Sequence, residues 1–127
     1  MYYFNKVLDD DFDSVINKTT EALKEEGFGV ITEIDIKKTM KEKLDIDYRN
    51  YKILGACNPK FAHQALLKED KVGTMLPCNV IVQSTDNGQV EVAAVNPLES
   101  MKSIKNESLE EIASVVTHKL RSVIENL

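Results

Sequence analysis

Two short segments of the chain set a cysteine beside an asparagine, Cys57-Asn58-Pro59 and Pro77-Cys78-Asn79. A thiol acts as nucleophile, redox group or soft metal ligand only as the thiolate, and its surroundings decide whether that form exists. Cys57 closes a strand-like run and stands directly before a helix start. Asn58 suits the N-cap there and Pro59 the first helical position. Unpaired N–H groups and the positive end of the helix dipole gather at such a point and favour a thiolate or a bound anion. Cys78 opens the next strand. If the two strands run antiparallel, both thiols reach one edge of the sheet, with Asn58, Asn79 and Asn96 beside them under the Gly73-Thr74 loop. Uncharged amides supply donors and acceptors that can hold a small polar ligand or orient an oxyanion.

That edge admits three readings. Cys57, Asn58, Thr74, Cys78, Asn79 and Asn96 line a ligand site; or Cys57, with Cys78, serves a thiol-dependent enzyme or redox protein; or both cysteines are buried small hydrophobes in a module without chemistry. Metal binding is not expected, because the chain has no Cys-x-x-Cys and only two histidines, His63 and His118, not at ligand spacing. No cofactor is implied, since no Gly-x-Gly-x-x-Gly, phosphate-loop or Gly-x-Ser-x-Gly motif occurs.

The elements that must position these residues follow from periodicity. Residues 2–8 read as a strand. Phe12, Val15, Ile16, Thr19 and Leu23 have helical spacing, with acidic residues first and Gly27 as the C-terminal stop. Alternation after Gly29 puts Val30, Thr32 and Ile34 on one side of a strand. A helix fits residues 36–44, and its lysines, Lys37, Lys38, Lys41 and Lys43, read as a solvated face interrupted by Glu42. A strand covers 48–57 and a helix runs from Pro59 to near Lys68 with Phe61, Ala62, Ala65 and Leu66 inward. Residues 69–77 read as a loop. Ser108-Leu109-Glu110-Glu111 has the pattern of a capping box for a last helix. Its stripe is Leu109, Ile112, Ala113, Val116, Leu120, Val123, Ile124 and Leu127. Regular βαβ alternation fails near the end of the chain, so the expected class is a single α+β domain over 1–127 with an antiparallel or mixed sheet.

The hairpin between 78–85 and 90–96 carries the strongest partner argument. A two-residue Asn87-Gly88 turn puts Ile81 opposite Ala94, Val80 opposite Val95 and Asn79 opposite Asn96. One side then shows Val80, Val82, Ala93 and Val95, and the other Ile81, Val90, Val92 and Ala94. A sheet with one wet face should alternate apolar and polar. Two apolar faces call for a second layer, and a homodimer is the simplest source of one. Val115, off the last helix's stripe, points the same way.

Composition bounds the rest. The 127 residues are 43% hydrophobic and 29% charged, with only five glycines and three prolines, which excludes collagen-like and disordered classes. The net charge of −5, and two arginines, Arg49 and Arg121, against fourteen lysines, weigh against a nucleic-acid partner. No apolar run spans a membrane and the first residues lack a signal-peptide pattern, so a cytoplasmic location is expected.

The run Tyr51-Lys52-Ile53-Leu54-Gly55-Ala56-Cys57-Asn58-Pro59, then Ala62 and Ala65-Leu66, then Gly73-Thr74-Met75-Leu76-Pro77-Cys78-Asn79-Val80-Ile81-Val82, resembles domain-of-unknown-function family 302, small bacterial and archaeal proteins. Asn96-Pro97 fits the family's usual ending, and the resemblance spans nearly the whole chain. It implies a TATA-binding-protein-like α+β fold, a curved antiparallel sheet backed by helices, in a protein that tends to form homodimers. It implies no reaction, and the fold name implies no DNA binding. The expectation is a cytoplasmic homodimeric module that binds a small ligand or partner at the Cys/Asn edge.

Overall fold

The computed structural model describes residues 1–127. Five strands, β1 (Tyr3–Leu8), β2 (Gly29–Asp35), β3 (Tyr51–Cys57), β4 (Cys78–Ser84) and β5 (Val90–Val95), form one sheet in the order β1-β5-β4-β3-β2. Every neighbouring pair is antiparallel. The helices are α1 (Phe12–Glu25), α2 (Ile36–Leu44), α3 (Pro59–Lys68), the short α4 (Pro97–Ser100) and α5 (Glu107–Glu125). Stretches of 3₁₀ helix at Asp70–Met75 and Lys102–Ile104 complete the chain. The expected α+β architecture, an antiparallel sheet backed by helices, is the one found.

Local signals explain the helix ends. Asp11 caps α1 by accepting from the Ser14 backbone N–H and hydroxyl, each at 2.8 Å, and those bonds hold its carboxyl below the usual value. At the other end Gly27, at φ +87°, reverses the chain. Its N–H and that of Phe28 reach back to Lys24 and Leu23 carbonyls at 3.0 and 2.9 Å, and Phe28 packs into the core. The start of α5 differs from the capping-box expectation. Asn106 takes the Ser108 and Leu109 N–H groups at 3.1 and 3.3 Å, so the helix begins upstream at Glu107.

Helices α1 and α5 lie on one face of the sheet. Val15 and Leu23 from α1, and Leu120, Val123 and Ile124 from α5, meet Leu54, Ala56, Val80, Val82, Val92 and Ala94 in one core. Leu23, Leu54 and Leu120 are completely buried, worth about 2 kcal/mol each in transfer free energy. A smaller cluster, Ala65, Val72, Met101, Leu109 and Ala113, seats α3 and the 3₁₀ turns against the start of α5. Leu66, expected on the inner stripe of α3, is 43% exposed, because that short helix buries only a narrow strip around Ala65.

The hairpin corrects the sequence reading. Val80 pairs with Ala94, Ile81 with Ala93 and Val82 with Val92, one residue away from the expected register. The loop has three residues rather than two. Thr85 and Gln89 close it, the Gln89 carbonyl accepting from the Thr85 N–H at 2.9 Å, and Gly88 takes φ +77°. A one-residue slip exchanges partners across the whole ladder. Val80, Val82, Val90, Val92 and Ala94 therefore all face the helices. The other face carries Asn79, Ile81, Gln83, Glu91, Ala93 and Val95. That face is mixed, polar at Asn79, Gln83 and Glu91 and apolar at Ile81, Ala93 and Val95, so the argument for two wholly apolar faces falls away.

A bulge makes a second change of register in β2. Val30 pairs with Ala56 but Thr32 pairs with Gly55, leaving Ile31 as the extra residue. Val30 consequently packs on the core while Thr32 and Ile34 lie on the opposite face, so the three do not share a side.

Candidate functional site

The antiparallel pairing of β3 and β4 brings the predicted residues to one edge of the sheet, with Ala56 opposite Cys78 and Gly55 opposite Asn79. Their side chains then part. Cys78 points into the core, 7% exposed, and burial, with Cys57 nearby, pushes its thiol up to about 11. At neutral pH it is a thiol and no nucleophile. Cys57 is half-buried, and both cysteines are free. Cys57 and Asn58 line an apolar crevice with Phe28, Phe61 and Val116, but its volume is about 30 Å³, room for about one water. Cys78 does not reach it.

The amides at this edge have structural duties. Asn58 does not cap α3 with its side chain; its Nδ2 donates to the Glu26 carbonyl at 3.3 Å and covers Gly27. The short turn after α1 presents a free carbonyl there, and the amide goes to it. Asn96 caps α4, accepting from the Leu98 N–H and the Thr117 hydroxyl, both at 3.2 Å, while its Nδ2 reaches the Met1 carbonyl at 3.1 Å. Thr74 donates to the Lys71 carbonyl at 2.9 Å within its own 3₁₀ turn. His63 and His118 are exposed. The lysines of α2 are solvated as expected, with Lys38 facing Glu42 and Lys41 facing Asp45 and Asp47.

Asn79 is different. It is exposed on the uncovered face and opens a groove of about 400 Å³ that runs across β4, β5 and the start of β1. Ile81, Ala93 and Val95 form the floor, Tyr2 and Tyr3 one wall, and Tyr51 the other. The Tyr2 and Tyr3 rings meet edge to face with centroids 4.9 Å apart, and Tyr48 stands 6.3 Å from Tyr51. At the far end a polar chain crosses the strands. Asn5 Nδ2 and Gln83 Nε2 each donate to Glu91 at 2.8 Å, and Arg49 donates to Gln83 Oε1 at 3.2 Å.

Sequence reasoning missed this groove, because Tyr51, Gln83 and Glu91 come together only through register. The available signal was compositional. All four tyrosines of a chain without tryptophan, Tyr2, Tyr3, Tyr48 and Tyr51, gather here. Gly55 marks the closed side of the same face. A β-carbon on it would overlap Thr32 Oγ1 and stand 2.8 Å from Pro77 Cγ, so the Leu76-Pro77 cis turn packs directly over it.

Fold and groove together define an α+β protein with one helix-backed sheet face and one open, tyrosine-walled face. Residues 4–127 match the family described as domain of unknown function DUF302, and the chain belongs to that family. Among solved structures it is similar to an uncharacterized conserved DUF302 protein from Bacillus stearothermophilus. Identity is 26%, the match covers 98% of this chain and 97% of the other, and the TM-score is 0.91. No curated protein matches the sequence. No helix is long and apolar enough to cross a membrane.

Proposed function

We propose that this protein is a binding module that receives a small organic ligand on the uncovered face of its sheet, entering at the Asn79 edge. The observation that carries the reading is the groove itself. Its volume of about 400 Å³ falls in the range of small-molecule sites, and it joins an apolar floor to a few oriented polar groups. The Cys57 crevice is too small for such a ligand. Native mass spectrometry of protein purified from its host tests the reading. A non-covalent mass that is carried by the wild type and lost in Ile81→Arg supports it. Protein without any such mass, whose groove resonances also stay unmoved by a fragment library, overturns it.

A homodimer is the second reading, supported by Val7 and Ile34, each 46% exposed on this face, and by Ile31, 62% exposed on the same strand as Ile34. These residues stand on the outer strands, one on each side of the groove. A second copy laid across them would cover apolar area and turn the groove into a chamber. Sedimentation velocity decides it: a dimer weakened by Ile34→Glu is expected, and a monomer at every concentration refutes it. A reducing, cytoplasmic setting accords with two free thiols near one another. An enzyme acting through Cys57 would have to do so without Cys78. If Cys57 alkylates no faster than a free thiol of pKa about 8.5, that alternative ends.

A further inference from the structure

We infer that the groove is built for a small organic cation, an ammonium group held between the tyrosines with Glu91 as its counter-ion. The inference rests on the binding-module reading and names the ligand's chemistry. Glu91 is half-buried near the start of β5, yet none of the six ion pairs of the protein involves it. Its two oxygens are held by the neutral amides of Asn5 and Gln83. The carboxylate is thereby oriented but not neutralised. A carboxylate partly withdrawn from water ordinarily carries a cation, and here Arg49 bonds to Gln83 and not to the carboxylate itself.

The rest of the groove meets the same requirement. Its lining includes no lysine, arginine or histidine, so Glu91 supplies its only formal charge. Three of the lining residues are tyrosines, whose ring faces attract cations. Burial, and the nearby Tyr48 and Glu91, raise the Tyr51 phenol above its ordinary value, so that wall stays uncharged. The rim already holds a cation in this manner: the Arg49 guanidinium lies 5.3 Å over the Tyr48 ring and bonds to Gln83, one link from Glu91. An anionic ligand would meet Glu91 with no lining cation to offset it, and a purely apolar one would leave the carboxylate desolvated and unpaired.

Choline, its uncharged carbon isostere 3,3-dimethylbutan-1-ol and the anion 3,3-dimethylbutanoate form a matched set of probes that do not absorb near 280 nm. Because the chain has no tryptophan, three of its four tyrosines line the groove and Tyr48 adjoins Tyr51, intrinsic tyrosine emission reports binding directly. The expected result is saturable binding of choline, about tenfold tighter than of the alcohol, with no response to the anion. Glu91→Gln should weaken choline about tenfold, and Tyr51→Leu should do likewise. Both variants are checked for native circular dichroism, and the isotope-labelled wild type is titrated in parallel to follow β4 and β5 amides. Equal binding of choline and the alcohol overturns the cation assignment while leaving a ligand groove in place. No response to any probe also overturns the assignment, and if host-purified protein carries no ligand mass either, the binding-module reading falls with it.

Discussion

Replacing Cys78 with alanine changes how stability depends on pH, by an amount that the structure sets. The thiol lies 7% exposed among core residues, and burial raises it from an ordinary value of 9.0 to about 11. The native state therefore keeps its proton through a range in which the unfolded chain has lost it. A group of this kind leaves stability intact below about pH 9 and erodes it as pH rises towards about 11. At about 1.36 kcal/mol per pH unit the loss is about 2 kcal/mol at pH 11 and approaches about 3 kcal/mol beyond it. Urea unfolding of the wild type and Cys78→Ala at pH 7.5, 9, 10 and 11 measures it, because every other titration is common to both proteins. At pH 7.5 the alanine variant should be less stable by about 1–2 kcal/mol, the consequence of removing a packed sulfur. That deficit should shrink from pH 9 and be gone or reversed by pH 11. A difference that stays constant over the whole range refutes the picture of a buried, protonated thiol and returns Cys78 to the candidate nucleophiles.

Three further substitutions probe the packing around the site. Gly55→Ala should destabilise by about 1–3 kcal/mol in chemical denaturation, since the new methyl overlaps Thr32 and crowds Pro77. Asn96→Ala should cost about 1–2 kcal/mol in the same assay through loss of the α4 cap and the Thr117 bond, the Thr117 hydroxyl still accepting from the Leu98 N–H. Thr19→Val should raise stability by about 1 kcal/mol, read as an increase in Tm, because Thr19 is completely buried and its hydroxyl has no hydrogen-bond partner.

The sequence by itself determined the local elements. Periods of two and 3.6, an acidic residue before Phe12, glycine at position 27 and Pro59 at a helix start act within a few residues, so the chain near each decides the outcome. The α5 stripe from Leu109 to Ile124 was legible in this way, and so was the arrival of Cys57 and Cys78 at one sheet edge once the strands were antiparallel. Where a side chain points was settled only by tertiary structure. One additional residue in the turn before Gln89 re-registers β4 against β5, and one bulged residue at Ile31 turns Thr32 away from Val30. Each slip exchanges the faces of every residue beyond it, because strand side chains alternate with a period of two. The same alternation puts Cys78 in the core and Asn79 in the groove, although they are neighbours in the chain. Glu91 was likewise an ordinary acidic residue in the sequence. Only the pairing of three strands set it between Asn5 and Gln83, in a groove walled by tyrosines from the start of the chain and from β3, and outside every ion pair.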